Sequence, residues 1–235
     1  PRSGSMTSWS LRITADGSHT VFSEPYQSTY HSMHGAWQES MHVFIHAGLV
    51  FALDQYKHSH VRIWEMGFGT GLNAFLSWHV LNTKGISLDY HALDIHPLPP
   101  SITAALNYPE RMDHPDANEV FEAIHQAPWD NTTSITPGFN LTKLRTDITS
   151  YHPDFQADVI YYDAFGPGSQ SPLWTAEVIR QVLSPLSHPG TVLTTYSSQG
   201  SFRRALSSNN FLVTKIPGPP GKREMIRAIY SRTDQ

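Results

Sequence analysis

Residues 61–80 constrain the chain more than any other stretch. Val61-Arg62-Ile63-Trp64-Glu65 is a short, largely apolar run that reads as a strand. Gly67-Phe68-Gly69-Thr70-Gly71 follows it. Glycines let a backbone turn sharply and approach a partner without a side chain in the way. Leu72, Phe75, Leu76 and Val80 then recur at helical spacing. A strand, a glycine turn and a helix in that order begin a crossover unit, and such units build parallel sheets.

The pattern repeats downstream. Ser87 to Asp94 reads as a second strand, and Pro97, Pro99 and Pro100 break the chain before another helix. Asn118 to Gln126 is helical in pattern, and Phe139 to Leu144 is a strand running into Arg145-Thr146-Asp147. Ala157 to Asp163 is the most apolar strand of the chain. Val178, Ile179, Val182, Leu183 and Leu186 mark a helix, Thr191 to Tyr196 a strand, and Phe202 to Leu206 a helical turn. Phe211 to Ile216 and Glu224 to Tyr230 flank Pro217-Gly218-Pro219-Pro220-Gly221, which predicts a terminal hairpin. The fold class that follows is α/β. A doubly wound, mostly parallel, Rossmann-like sheet is expected, with an antiparallel C-terminal hairpin.

The opening is different. Residues from about 10 to 55 are polar and aromatic-rich, with a turn at Asp16-Gly17. His34 to Leu49 reads as a helix ending at Gly48. Pro1 to Ser5 reads as the remnant of an expression tag, with Met6 as the native start. A chain of 235 residues with 39% hydrophobic residues supports one sizeable core. No apolar run is long enough to cross a bilayer, and no secretory signal follows Met6, so a cytoplasmic protein is expected. With no cysteine, disulfides, zinc–thiolate sites and thiol nucleophiles are excluded. The 14 histidines are scattered without an HExxH pattern, and no metal is expected. The net charge of −4 argues against non-specific nucleic-acid binding, while leaving room for a local basic patch.

In a doubly wound sheet, ligands bind at the carboxyl ends of the strands. Here the four ends are Glu65, Asp94, Asp147 and Asp163, all carboxylates. The glycine spacing is GxGxG, because position 72 is Leu. A dinucleotide loop wants GxGxxG and a Walker loop ends in Gly-Lys-Ser/Thr, so neither fits. S-adenosylmethionine has no pyrophosphate, and a loop that need not cradle one suits it. Asp94 is then placed for the ribose hydroxyls, Asp147 for the adenine amino group, and Asp163 for the methyl-sulfonium end and an incoming amine. Aromatic stacking on adenine or a target base falls to Tyr161, Tyr162, Phe165 and Trp174.

Several motifs carry a family resemblance. Glu65-Met66-Gly67-Phe68-Gly69-Thr70-Gly71-Leu72-Asn73 is one, and Tyr162-Asp163-Ala164-Phe165-Gly166-Pro167 with Trp174 beyond is another. Pro189-Gly190-Thr191, Thr195-Tyr196-Ser197, Phe202-Arg203-Arg204-Ala205-Leu206 and Lys222-Arg223-Glu224-Met225 complete the set, with Gly35-Ala36-Trp37-Gln38-Glu39 near the start. In this order they resemble the methyltransferase domain of the MnmC-type tRNA-modifying enzymes, from about residue 11 to 230. Two departures are Gln170-Ser171-Pro172-Leu173 ahead of Trp174, and Asp94 where the family often has Glu.

The resemblance implies a class I fold and methylation of the 5-aminomethyl group of 2-thiouridine at the tRNA wobble position. It implies a stand-alone form without the fused oxidase, and an upstream amine-forming enzyme as partner. Residues 57–235 would be the methyltransferase domain and residues 6–56 a small N-terminal β/α extension. The donor, S-adenosylmethionine, would be bound by Glu65, Gly67, Phe68, Gly69, Thr70, Gly71, Asn73, Asp94, Asp147 and Asp163. Asp163 would be the catalytic residue. Phe165, Trp174, Arg203, Arg204, Lys222 and Arg223 would contact the tRNA substrate. Three alternatives stay open: a small-molecule amine or carboxylate methyltransferase, an aminopropyl transferase, and a non-catalytic nucleotide-binding module.

Overall fold

The repeated apolar runs pair edge to edge because each must bury both its faces and its backbone polar groups. The computed structural model describes residues 8–166, 168 and 170–231. The expected tag remnant, Met6 and the quoted Pro167 lie outside the described residues.

Three short strands open the chain: β1 (Trp9–Ile13), β2 (His19–Ser23) and β3 (Ser28–Thr29). They form a small antiparallel sheet of their own. The turn between β1 and β2 holds Gly17 at φ +84°, and Asp16 Oδ1 accepts the Ser18 N–H at 3.0 Å. Eight further strands form the main sheet. They are β4 (His60–Met66), β5 (Ser87–Asp94), β6 (Asn131–Thr136), β7 (Phe139–Arg145), β8 (Ala157–Tyr162), β9 (Ser187–Thr195), β10 (Phe211–Pro217) and β11 (Glu224–Tyr230). Their spatial order is β10-β11-β9-β8-β4-β5-β7-β6. The five central strands run parallel, and β11, β10 and β6 are antiparallel additions. This is a class I, Rossmann-like doubly wound sheet. The chain builds outward from β4 on one side, then returns to place β8 on the other. The switch point therefore lies at the tips of β4, β5 and β8.

Both faces of the sheet are covered. Val61 and Ile63 of β4 pack into one core with Phe44, Leu72, Phe75 and Leu81. Trp64 and Met66, on the opposite face of β4, pack with Ile160, Tyr162, Val182 and Leu183. The first core also includes Val21 of the small sheet, so the N-terminal segment is joined to the main body by apolar packing.

Two expectations change. The first long helix does not stop at Gly48. Helical backbone runs on through Ala36–Ser40, Met41–Val50 and Phe51–Gln55, the middle part in wider π-type turns. A Cβ on Gly48 would stand 3.0 Å from Thr194 Oγ1 and 3.4 Å from the Tyr161 ring. Glycine is there to let the helix lie close on β9 and β8, not to end it. The boundary expected at 56/57 falls just beyond this helix, which packs against the main sheet. The second change is β6, which the pattern did not suggest. Its residues are mostly polar and none is buried, and it pairs as an edge strand with β7 across Pro137-Gly138. An edge strand wetted on its faces needs no apolar alternation.

Candidate active site

The tips of β4, β5 and β8 are tied together through backbone groups. Gly67 N–H and Phe68 N–H both donate to Leu93 O, at 2.9 and 3.2 Å, and Asp163 N–H donates to Met66 O at 3.0 Å. Gly69 N–H donates to Asp94 Oδ2 at 2.9 Å. The three loop glycines hold φ of +89°, +53° and +76° at positions 67, 69 and 71, a region that disfavours other residues. A Cβ on Gly67 would lie 2.6 Å from the Asp163 carbonyl oxygen. Here glycine is required twice over, by torsion and by contact.

Asn73 clamps two of the carboxylates. Its Nδ2 donates to Glu65 Oε2 at 2.8 Å and to Asp163 Oδ2 at 3.1 Å. Glu65 is 1% exposed, and burial pushes its carboxyl well above the usual range, with Asn73 opposing. Asp163 is also raised well above its usual value. Burial is the first cause, and the neighbouring Glu65 and Glu39 add to it. Asp94 is raised by burial against hydrogen bonds from Gly69 and His96. Asp163 and Asp94 each keep part of their surface open on the cavity side.

A cavity of about 560 Å³, counted to its mouth, lies above the glycine loop. Gly67, Phe68, Gly69, Thr70, Asn73, Asp94, Asp163 and Phe165 all line it. Its roof was not anticipated. The Tyr30 ring stands 3.6 Å from where a Cβ on Gly69 would be. Tyr26 stacks on Phe165 with ring centres 4.4 Å apart, and Tyr30 lies 4.9 Å from the same ring. Gln170 locks the stack: its Oε1 accepts Phe165 N–H at 2.8 Å and its Nε2 donates to Tyr26 Oη at 3.1 Å.

A second cavity, about 770 Å³ by the same measure, shares Tyr30, His31, Asp163, Ala164 and Phe165 with the first. Glu39, Tyr196 and Lys222 line its far side. Asp163 thus stands on the wall between two spaces.

Other expected residues sit elsewhere. Glu65 and Gly71 lie behind the wall of the first cavity, Glu65 reaching it through Asn73. Asp147 is exposed, and its Oδ1 is occupied by Thr149 N–H and Thr149 Oγ1, both at 2.8 Å, as a cap on the following turn. It borders a neighbouring hollow that shares Tyr26, Met66, Ile95 and Gln170 with the first cavity. Trp174 is 5% exposed, packs on Tyr162 and Phe202, and donates from Nε1 to Phe165 O at 2.9 Å. Tyr161 and Tyr162 are fully buried in the two cores. Of the four basic residues, only Lys222 lines either cavity, with Nζ 3.9 Å above the Tyr196 ring. Arg203 donates from Nε to Ser198 O at 3.1 Å, and Arg204 and Arg223 are exposed.

Sequence reasoning missed Tyr26, Tyr30, His31, Glu39, Gln170 and Tyr196 as wall residues. The signals available were the aromatic richness of the opening segment and the place of Glu39 and Tyr196 within quoted motifs. Among the described residues, no three His, Asp or Glu side chains converge as metal ligands, and no helix is long and apolar enough to cross a membrane.

Comparison with known proteins adds to the geometry. Residues 122–231 match a family described as S-adenosyl-L-methionine-dependent methyltransferase. The chain is 31% identical over 232 residues to the tRNA 5-methylaminomethyl-2-thiouridine biosynthesis bifunctional protein MnmC of Pseudomonas putida, covering 93% of this chain and 35% of that protein. It is also 31% identical over 242 residues to the protein of the same name from an Azoarcus species, covering 96% of this chain and 36% of that one. The chain thus spans about a third of the length of the curated relatives it matches. The crystal structure of MnmC2 from Aquifex aeolicus superposes with a TM-score of 0.77 at 22% identity, covering 98% of this chain and 73% of that one. That likeness bears out the doubly wound fold.

Proposed function

We propose that this chain, which belongs to the family of S-adenosyl-L-methionine-dependent methyltransferases related to the MnmC proteins, methylates the 5-aminomethyl group of the (2-thio)uridine at the tRNA wobble position. The observation that carries this reading is the place of Asp163. It faces the glycine-loop cavity on one side and a second cavity on the other, which is where a group joining donor and acceptor must stand.

The residues present fit the donor. Asn73, on the cavity wall, has its Oδ1 buried without a hydrogen-bond partner among the described residues, so a donor ammonium group has an acceptor waiting. The positive-φ glycines leave a side-chain-free cradle, and Asp94 stands at the tip of β5 for the ribose hydroxyls. Bound there, S-adenosylmethionine supplies an electrophilic methyl group on a sulfonium. The protein's own contribution is orientation, which holds the reacting groups in line and removes entropy from the barrier. Asp163, positioned by Asn73, accepts a hydrogen bond from the acceptor amine and stabilises the charge that develops on nitrogen. Phe165 and the tyrosines above it exclude water and offer a flat surface for a base. In this reading Asp147 acts at the adenine edge only by giving up part of its cap, and Trp174 acts by holding Phe165.

Arg203, Arg204, Lys222 and Arg223 are the proposed tRNA contacts, and the name of the relatives supports tRNA as substrate. With it go a cytoplasmic setting and an upstream enzyme that makes the amine. Residues 57–235 serve as the methyltransferase domain and residues 6–56 as an extension that roofs it. The acidic total charge favours a second reading, a small-molecule amine as acceptor. Calorimetry with S-adenosylmethionine, paired with a transfer assay on tRNA bearing 5-aminomethyluridine, separates them. Transfer to that tRNA supports the first reading. Donor binding without tRNA methylation removes it and leaves the second.

A further inference from the structure

The second cavity holds a carboxylate to which the sequence assigned no role. Glu39 is 5% exposed and sits on the wall opposite the glycine loop. Among the described residues its Oε1 accepts only the Ser32 N–H, at 3.2 Å, and Glu39 lines the same space as Asp163. The other titratable groups on that wall are Tyr30, His31, Tyr196 and Lys222. Burial keeps both tyrosines protonated and lowers His31 to about 4, so these three are neutral near pH 7. The groups left are the Glu39 and Asp163 carboxyls, both raised by burial, and the Lys222 amine. Two carboxyls facing one ammonium offer hydrogen-bond acceptors to the N–H groups of an incoming amine. Glu39 helps to raise Asp163, and Lys222 lowers both.

An alkyl amine meets this cavity as an ammonium, since its pKa in water is roughly that of lysine, about 10. It cannot attack a methyl group until it loses a proton. Lys222 helps by like-charge repulsion, which favours the neutral amine. A base must then receive the proton.

We infer that Glu39 is that base: it binds the acceptor's ammonium group across the cavity from Asp163 and takes one proton from it. One N–H bond breaks, the electron pair stays on nitrogen, and one O–H bond forms on the Glu39 carboxyl. Burial raises Glu39 above the usual carboxylate range, which suits it to hold that proton. The cavity mouth lets the proton leave to solvent afterwards. This inference rests on the amine-methyltransferase reading and narrows it, assigning the acceptor a primary or secondary amine rather than a hydroxyl or carboxylate.

The test uses the full chain and two anticodon stem-loops, one bearing 5-aminomethyluridine and one bearing 5-methyluridine. Calorimetry measures binding of each with S-adenosylhomocysteine present, and a single-turnover assay measures transfer. The unaltered chain should prefer the aminomethyl stem-loop by tenfold or more. Glu39→Gln should erase that preference and slow transfer by roughly a hundredfold, the lower end for a general base. S-adenosylmethionine binding should be unchanged in the same variant. Glu39→Asp, which keeps the charge, should keep the preference and shift the pH–rate profile. Loss of preference in both variants alike would make Glu39 a packing residue and overturn the inference. So would a Glu39→Gln chain as selective and fast as the parent. No transfer by the unaltered chain, with donor binding intact, would instead remove the reading beneath, and the inference with it.

Discussion

The two cavities that meet at Asp163 are built by different means. The cavity over the glycine loop is framed by backbone. Its floor comes from residues that directly follow β4, β5 and β8, held by N–H donors to Leu93, Met66 and Asp94. The cavity beside Lys222 is framed by side chains from segments far apart in the chain: Ser28 to Glu39, Asp163 to Gly166, Tyr196 and Lys222. The comparison teaches that the tip of a parallel sheet frames one cavity with backbone already ordered by the sheet, while the other must be assembled from loops. Backbone-framed sites tolerate little change at their glycines. Side-chain-framed sites give way gradually and carry the choice of substrate.

Asp163 belongs to both halves, so its loss should have the largest effect. Asp163→Asn should lower transfer by roughly 10² to 10³-fold, the scale for losing one preorganised electrostatic group. Donor affinity should change far less. Equal losses in both would merge the two cavities into one site and break the distinction.

Next in size is Gly67→Ala. The new Cβ would press on the Asp163 carbonyl from 2.6 Å at a positive φ, with an expected cost of about 3 kcal/mol. A urea melt and a donor titration on the same sample check it. An unperturbed melt would show that the strand tips are not locked together.

The pH dependence of stability sharpens the contrast further. Glu65, Asp94 and Asp163 are all raised in the folded state. The folded chain then binds more protons than the unfolded one, so unfolding free energy falls as pH rises from the unfolded carboxylate values near 4 through the raised ones. Removing one of these acids should relieve that cost. Asp163→Asn should therefore raise the urea midpoint relative to the parent at pH 8 and lose this advantage at pH 4. A midpoint difference independent of pH would place the charge cost elsewhere.

The smallest effect is expected in the roof. Tyr26→Ala removes a stacked ring pair, worth about 1 kcal/mol, and leaves Gln170 without its phenol partner. Donor or acceptor binding should weaken about fivefold, at 1.4 kcal/mol per tenfold, with the melt almost unchanged. A large loss of stability would mean that the roof is part of the core.

Much of the first cavity was legible in the sequence. The glycine spacing, the apolar run before it and the acids at Asp94 and Asp163 are local signals, each readable within ten residues. Asp147 shows the limit of such signals. The same carboxylate that ends one unit also caps the next turn, and its hydrogen bonds to Thr149 occupy the oxygen that faced a ligand role. Gly48 shows another limit, because a glycine that ends a helix and one that lets a helix approach a sheet look alike in a sequence. Glu39 and Gln170 stood in quoted segments without a role, and Tyr26 and Tyr30 stood in none, since such roles come from partners far along the chain, as that of Gln170 does from Tyr26.

The sequence by itself determined the strand–helix alternation, the parallel sheet and the glycine turn at its switch point, because hydrophobic period and backbone torsion are properties of neighbours along the chain. Only the tertiary structure decided that Asn73 bridges Glu65 to Asp163, that the N-terminal tyrosines roof the glycine loop, and that Glu39 and Lys222 face Asp163 across a second space. Those relations depend on where distant segments come to rest on the sheet, and on the burial that then sets their charge.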